Sequence, residues 1–168
     1  MRFFNIFKGA ADYFKDASLK RITSPFVGNV MPSQLLRDIN LSKNVMGYSI
    51  GVIPESGDVI APCKGHITLV SELGNSFCMR LGKINIIINL GLNRDLYKKE
   101  WFKLNYKVGD KVKRGVPILT MDLNKIMCTD PDFVCVITVK HSKELKYISM
   151  QNVRYVEHGS MLCSINVY

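Results

Sequence analysis

Histidines, the side chains most often used for acid–base chemistry and metal binding, are few in this sequence. The three are His66, His141 and His158, and each lies beside a predicted turn. No two of them have the spacing of a metal-binding pair. A lone histidine at a turn is most often exposed and idle, so we expect no metal site and no cofactor.

Cysteines and acidic residues show no reactive spacing either. None of the five cysteines forms a C-x-x-C pair, which argues against a zinc knuckle or a redox motif. An odd number of cysteines favours reduced, mostly buried thiols in a cytoplasmic protein. Asp130 and Asp132 flank Pro131 and predict a turn, and no Gly-rich phosphate-binding loop of the P-loop type is present.

The charge of the chain is strongly positive. It has 23 Lys and Arg against 14 Asp and Glu, a net charge of +9. Such an excess favours anionic partners, but the cations are scattered, which is typical of a solvated, lysine-rich surface. The densest stripe, Lys107 to Arg114, has no interleaved aromatic residues and no surrounding nucleic-acid motif. We therefore expect no nucleic-acid partner.

Residues 1–20 differ in pattern from the rest of the chain. Apolar residues near helical spacing alternate with basic ones, which predicts a short amphipathic helix. Its membrane-contact candidates are Phe3, Phe7 and Phe14. A basic amphipathic segment binds anionic lipid weakly and reversibly. The alternative, which the sequence leaves open, is a helix that packs on its own domain.

The remaining residues, 21–168, have the pattern of turn-forming residues that is typical of one all-β domain. Short apolar runs are separated by Gly, Pro, Asn and Asp about every ten residues, which indicates a barrel or sandwich of many strands. Helical pattern is confined to Leu35–Asp38 and Ser142–Tyr147. No run reaches the ~18 apolar residues of a membrane-spanning helix.

A short motif occurs twice in this domain. Pro25–Val30 and Pro62–Ile67 share the pattern P-x-x-G-x-[VI]. Proline at the start of a strand leaves no ladder donor unpaired, and glycine permits the turn that follows. Two copies of one hairpin element predict a pseudo-symmetric arrangement of strands.

These motifs, in this order, resemble the glucose-type enzyme IIA domain of the bacterial phosphoenolpyruvate-dependent sugar phosphotransferase system. The resemblance extends over about residues 22–165. It rests on the ordered series Ser24-Pro25-x-x-Gly28-x-Val30, Ala61-Pro62-x-x-Gly65-x-Ile67, Asn89-Leu90-Gly91-Leu92 and Val108-Gly109-Asp110-x-Val112. It implies a flattened antiparallel β-sandwich, the duplicated hybrid motif, with few short helices.

The resemblance also implies a site. In that family a histidine takes phosphate from the small carrier protein HPr and passes it to the sugar-transporting subunit, beside a second histidine on a neighbouring strand. In this sequence both matching positions are asparagine, Asn75 and Asn89. The matching pocket neighbours are Leu73, Phe77, Gly91 and Asn93.

Asparagine changes what such a site can do. The lone pair of its amide nitrogen is delocalised into the carbonyl, so it is a poor nucleophile, although it still forms hydrogen bonds. We therefore expect a pseudoenzyme: a cytoplasmic binding or regulatory module, peripheral at the inner face of the membrane. Its partners would be proteins, including phosphotransferase-system components. No small-molecule substrate is identified.

Two alternatives remain open at this point. The first is an active phosphocarrier for sugar uptake that uses another histidine. The second is a biotinyl- or lipoyl-type carrier, because Lys125 lies about where such domains carry their modified lysine. The residues around Lys125 do not match the hairpin of those domains.

Overall fold

β-Strands dominate the computed structural model, which describes residues 19–168. Strands make up 47% of these residues and helices 13%, well below the ~30–35% helix of an average globular protein. The predicted all-β class is therefore confirmed. The strands are β1 (Leu19–Thr23), β2 (Gly28–Pro32), β3 (Gly47–Pro54), β4 (Asp58–Ile60), β5 (Gly65–Val70), β6 (Ser76–Leu81), β7 (Ile84–Leu90), β8 (Phe102–Leu104), β9 (Lys111–Val112), β10 (Pro117–Met121), β11 (Cys135–Lys140), β12 (Leu145–Met150), β13 (Tyr155–Val156) and β14 (Met161–Val167).

One large sheet and two small ones enclose the core. The large sheet has eight strands in the order β13-β2-β3-β11-β7-β6-β5-β9, and the small sheets are β1-β14-β12 and β4-β10-β8. Alternation decides which face is buried: along β7, Ile86 and Ile88 are buried while Asn85 and Asn89 are half-exposed on the opposite face. The buried face packs against residues of the small sheets, such as Ile165.

The repeated motif occupies equivalent places in the large sheet. Gly28 begins β2 and Gly65 begins β5. A Cβ atom at either glycine would collide with a carbonyl oxygen of the next strand, that of Ile53 or of Arg80. The outer strands pair equivalently as well, since Gly28 lies opposite Val156 and Gly65 lies opposite Val112. The large sheet is therefore pseudo-symmetric about its central strands, β11 and β7.

Helices are short and differ from the predicted ones. The α-helices are Ile39–Ser42 and Leu123–Thr129, and the 3₁₀ turns are Ser33–Leu35, Arg94–Leu96 and Lys99–Trp101. The predicted helical turn at Ser142–Tyr147 is wrong, because strand β12 begins at Leu145 within this range and pairs with β14. Within residues 19–168, no helix has the length and hydrophobicity that a membrane crossing requires.

Strand β1 begins inside the segment that the sequence suggested as helical. Leu19 and Lys20 pair with Asn166 and Ile165 of β14, so the sandwich already includes these two residues before the expected boundary at residue 21. Residues 1–18, with Phe3, Phe7 and Phe14, lie outside the described part of the chain.

Candidate functional site

Strands β6 and β7 bring the two asparagines to the same end of the large sheet. Ser76, the first residue of β6, lies directly opposite Asn89 of β7. Asn75 immediately precedes Ser76, and its carbonyl oxygen accepts a 2.7 Å hydrogen bond from the backbone N–H of Leu90. Asn75, just before β6, therefore lies opposite Leu90, one position from Asn89 in register. We call Asn75, Asn89, Ser71 and Ser76 the Asn site.

Each amide side chain of the Asn site is already hydrogen-bonded. Asn75 is buried; its Nδ2 donates to the carbonyl oxygen of Leu90 at 3.1 Å, and its Oδ1 accepts from Oγ of Ser71 at 3.2 Å. Oδ1 of Asn89 accepts from Oγ of Ser76 at 2.7 Å. The two amides thus bond to the backbone and to serine hydroxyls, and these bonds hold the ends of β6 and β7 together.

The outer face of the sheet beside Asn89 is apolar. One row of residues crosses five strands in register: Met31, Gly51, Val136, Asn89 and Ser76. A second hydrophobic cluster covers this face next to Asn89. It consists of Leu36, Leu41, Val134 and Val136, with Met31 and Leu92 packed against them. The Asn site therefore lies at the margin of an apolar patch.

A groove of about 520 Å³ opens next to this patch. Its walls include Leu35, Ile53, Leu92 and Phe133. Leu35 is 68% exposed and Ile53 is 39% exposed. Large apolar side chains that stay exposed around a groove are typical of a protein-binding surface.

A polar network borders this groove, whose lining includes Asn93 and Asp130. The O–H of Tyr97 donates to Oδ2 of the buried Asp130 at 2.5 Å, and Nδ2 of Asn93 donates to the same oxygen at 3.2 Å. Burial and the hydrogen bond to Asp130 raise the pKa of Tyr97. The phenol therefore stays neutral and fixes the Asp130 loop to the end of β7.

The predicted pocket neighbours lie in different surroundings. Gly91 has a φ of +79°, and a Cβ atom there would overlap the Tyr97 and Phe133 rings. Leu73 packs half-buried against the core, and Phe77 is fully buried in it. Sequence reasoning missed Tyr97 and the packing role of Asp130, since nothing local shows that residues 33 positions apart meet.

None of the three histidines lies at the Asn site. His66 pairs with Arg80, about 16 Å along β6 from Asn75 at ~3.3 Å per residue. His141 follows β11, about as far from Val136, the partner of Asn89. Nε2 of His141 is 2.9 Å from the carbonyl oxygen of Asn44, and Nε2 of His158 is 2.9 Å from that of Asp58.

The other reactive side chains lie apart from the Asn site as well. Burial raises the pKa of Cys63 to about 12, so this thiol is inert. Lys125 lies on the helix Leu123–Thr129, paired with Asp122 at 2.9 Å, whereas the modified lysine of a biotinyl-type domain would lie on a hairpin. Among residues 19–168, no group of three or more His, Cys, Asp or Glu is placed to hold a metal ion.

Comparison with known proteins gives one consistent family. Residues 20–145 match the family described as phosphoenolpyruvate-dependent sugar phosphotransferase system, EIIA 1. The chain is 26% identical over 160 residues to the glucose-specific EIIA component of Oceanobacillus iheyensis, and each chain is covered to 94%. It is 23% identical over 141 residues to that of Borreliella burgdorferi, covering 83% of this chain and 75% of the relative.

A longer relative and a solved structure agree with this. The β-glucoside-specific EIIBCA component of Bacillus subtilis is 25% identical over 152 residues, and the match spans 90% of this chain but only 25% of that protein. The glucose permease IIA of Mycoplasma capricolum superimposes with a TM-score of 0.79 at 17% identity. That match covers 87% of this chain and 95% of the other, which confirms the β-sandwich fold.

Proposed function

Because this chain belongs to the EIIA 1 family of the phosphoenolpyruvate-dependent sugar phosphotransferase system, as a glucose-type EIIA domain, we propose that it is a member without histidine phosphoryl transfer. It acts instead as a cytoplasmic binding or regulatory module for a protein partner. The observation that carries this proposal is the pair Asn75 and Asn89 at the two positions where the resemblance calls for histidine.

Chemistry supports the loss of transfer. Accepting a phosphoryl group requires an imidazole nitrogen with a free lone pair near neutral pH. The amide nitrogen of Asn75 has no such lone pair and is already committed as a donor to Leu90. The oxygens of both amides accept hydroxyl hydrogen bonds. The two side chains therefore stabilise the ends of the strands. A binding surface at this end of the sheet needs such a fixed backbone.

The apolar surroundings support binding. The groove with Leu35 and Ile53 on its walls lies beside the Asn site, and protein interfaces need such an apolar centre. Its occupant would be a component of the phosphotransferase system or a protein that such a component regulates.

The decisive experiment is phosphorylation. The protein is incubated with labelled phosphoenolpyruvate and the two general carrier proteins, with the glucose-specific EIIA component of B. burgdorferi as positive control. We expect no acid-labile phosphate on the chain. If label is found, the triple variant His66→Asn/His141→Asn/His158→Asn identifies its site: loss of label would establish the alternative, an active carrier that uses another histidine.

Binding is tested separately on the apolar groove. Leu35→Glu places a charge on its exposed wall, and Val108→Glu is the matched control, since Val108 is 58% exposed in the loop before the edge strand β9. We expect Leu35→Glu to weaken the affinity for phosphotransferase components, measured by calorimetry, about tenfold or more. Equal effects of the two substitutions would contradict this docking surface.

Residues 1–20 are proposed to add weak membrane contact. The phenylalanines Phe3, Phe7 and Phe14 offer an apolar face, and each basic residue near an acidic leaflet contributes about 1 kcal/mol. Removal of residues 1–18, which leaves β1 intact, should abolish co-sedimentation with anionic liposomes at low salt. Undiminished co-sedimentation would assign membrane contact to the sandwich instead.

A further inference from the structure

A second cleft, on another side of the molecule, is lined by cations. It has a volume of about 620 Å³ and lies between β1, the loop after β4 and the turn after β9. Its floor and apolar wall are formed by Leu19, Cys63 and Leu81. The basic residues around it, which define the cationic cleft, are Lys20, Arg21, Lys64, Lys113 and Arg114.

Among residues 19–168, no acidic side chain lines this cleft. Within residues 19–168, the ion pairs join Arg37 to Asp132, Lys83 to Glu144 and Lys125 to Asp122, so none involves Lys64, Lys113 or Arg114. Like charges gathered around one concavity repel each other and raise the local concentration of anions. An anionic ligand would relieve this repulsion.

The cleft is built on fixed backbone. The N–H of Gly115 donates to the carbonyl oxygen of Ala61 at 2.9 Å, which ties the turn bearing Arg114 to the loop bearing Lys64. Lys20 and Arg21 belong to β1, which pairs with β14. Lys64, Lys113 and Arg114 therefore lie on anchored backbone around one space.

The cleft is also distinct from the Asn site. Leu81 lies at the far end of β6 from Asn75, about 20 Å along the strand. A ligand in the cleft would leave the groove beside Asn89 free. The cleft would be open to a ligand whether or not phosphoryl transfer is lost.

We propose that the cationic cleft binds small molecules that carry phosphate groups. Arginine recognises phosphate oxygens through two parallel N–H bonds, and lysine adds compact positive charge. A volume of about 620 Å³ fits the ~300–1,000 Å³ of small-molecule sites. Cys63 on the floor adds no opposing charge, since burial raises its pKa to about 12 and keeps it a neutral thiol.

The test is a titration of the full-length protein with pyrophosphate at low salt, followed by amide chemical shifts and calorimetry. We expect saturable shifts that centre on residues 63–65, 81–82 and 113–115. The variant Lys64→Gln/Arg114→Gln should weaken this binding about tenfold or more. The control Lys99→Gln/Lys103→Gln lowers the net charge equally, from +9 to +7, and should leave the affinity unchanged.

Two further titrations identify the kind of molecule that carries the phosphate group. Glucose 6-phosphate represents soluble organic phosphates, and phosphatidylglycerol vesicles represent lipid headgroups. A response to either that Lys64→Gln/Arg114→Gln removes supports the site and names its source. Equal weakening by the control variant would show general attraction to a +9 protein and overturn the proposal. Absence of any saturable response would overturn it as well.

Discussion

Gly91 determines how the chain leaves β7 beside the Asn site. Its φ of +79° and its contact with the Tyr97 and Phe133 rings leave no room for a side chain. Gly91→Ala should therefore combine left-handed strain with overpacking and lower the free energy of unfolding by about 2–5 kcal/mol. Gly159→Ala is the control, because its φ is +84° but its surroundings are open. Urea denaturation of both should show a clearly larger loss at Gly91; equal losses would contradict the packing argument.

Tyr97 should make the free energy of unfolding fall at alkaline pH. Burial and the bond to Asp130 raise the pKa of Tyr97 above its ordinary value of 10.0, so the neutral phenol contributes its full stability below about pH 10 and loses it at higher pH. Tyr97→Phe should lower the free energy of unfolding by about 1–3 kcal/mol at neutral pH, and this gap should narrow above pH 10. Tyr147→Phe, at an exposed tyrosine, should show neither effect. A gap that is independent of pH would contradict this role.

The sequence predicts the asparagines of the candidate site but not the pair Tyr97 and Asp130. Asn75 and Asn89 are predicted from their places in the ordered motifs that carry the resemblance, and the pairing of β6 with β7 follows from a short turn and clear alternation. Asp130 could not be predicted, since a carboxylate next to Pro131 has the pattern of an exposed turn. Only tertiary packing brings Tyr97 to it and buries both.

Strand β1 is the first element of the sandwich in the described part of the chain. Ile22 of this strand is fully buried opposite Cys163, and Thr23 donates from its backbone N–H to Pro62. Removing residues 1–18 should leave the unfolding free energy within about 0.5 kcal/mol of the intact protein. Removing residues 1–23 should cost several kcal/mol more, because it takes Ile22 from the core and leaves β14 unpaired on one side.

Thermal and urea denaturation of the two deletions separate these expectations. A large loss on removing residues 1–18 alone would show that the N-terminal segment packs on the sandwich. That is the alternative which the sequence pattern left open.

Central strands such as β7 could be predicted from the sequence, whereas some peripheral elements could not. β7 alternates between buried and half-exposed positions along its whole length, which is the pattern of a strand with one face in the core. β12 lies at the edge of a small sheet and has no buried residue. Its residues, among them Lys146 and Tyr147, show no clear period. The helix Leu123–Thr129 is short and depends on its cap, in which Asp122 accepts from the N–H of Lys125.

At the scale of the whole molecule, different faces of the sandwich have different chemistry. The outer face of the large sheet carries Asn89, an apolar groove and the exposed Leu35. The far end of β6 carries the cationic cleft with Lys64 and Arg114. Apolar and cationic surfaces are therefore separated, so a protein partner and an anion could bind at the same time.

The net charge of +9 affects the rate at which this protein associates with a cationic partner. Charges of equal sign repel over roughly a Debye length, ~10 Å at 0.1 M salt, and added salt screens that repulsion. The resemblance implies an acidic rim that receives the basic carrier HPr, and here exposed Asn93 and Arg94 occupy part of it. Association with HPr, followed by stopped-flow fluorescence, should therefore become faster as salt is raised. Arg94→Asp should speed it at low salt, whereas Lys111→Asp, the same change of charge on the distant edge strand β9, should have a smaller effect. If the association of the unmodified protein with HPr instead slows as salt is raised, an acidic surface still attracts HPr. The proposed loss of the acidic rim would then be wrong.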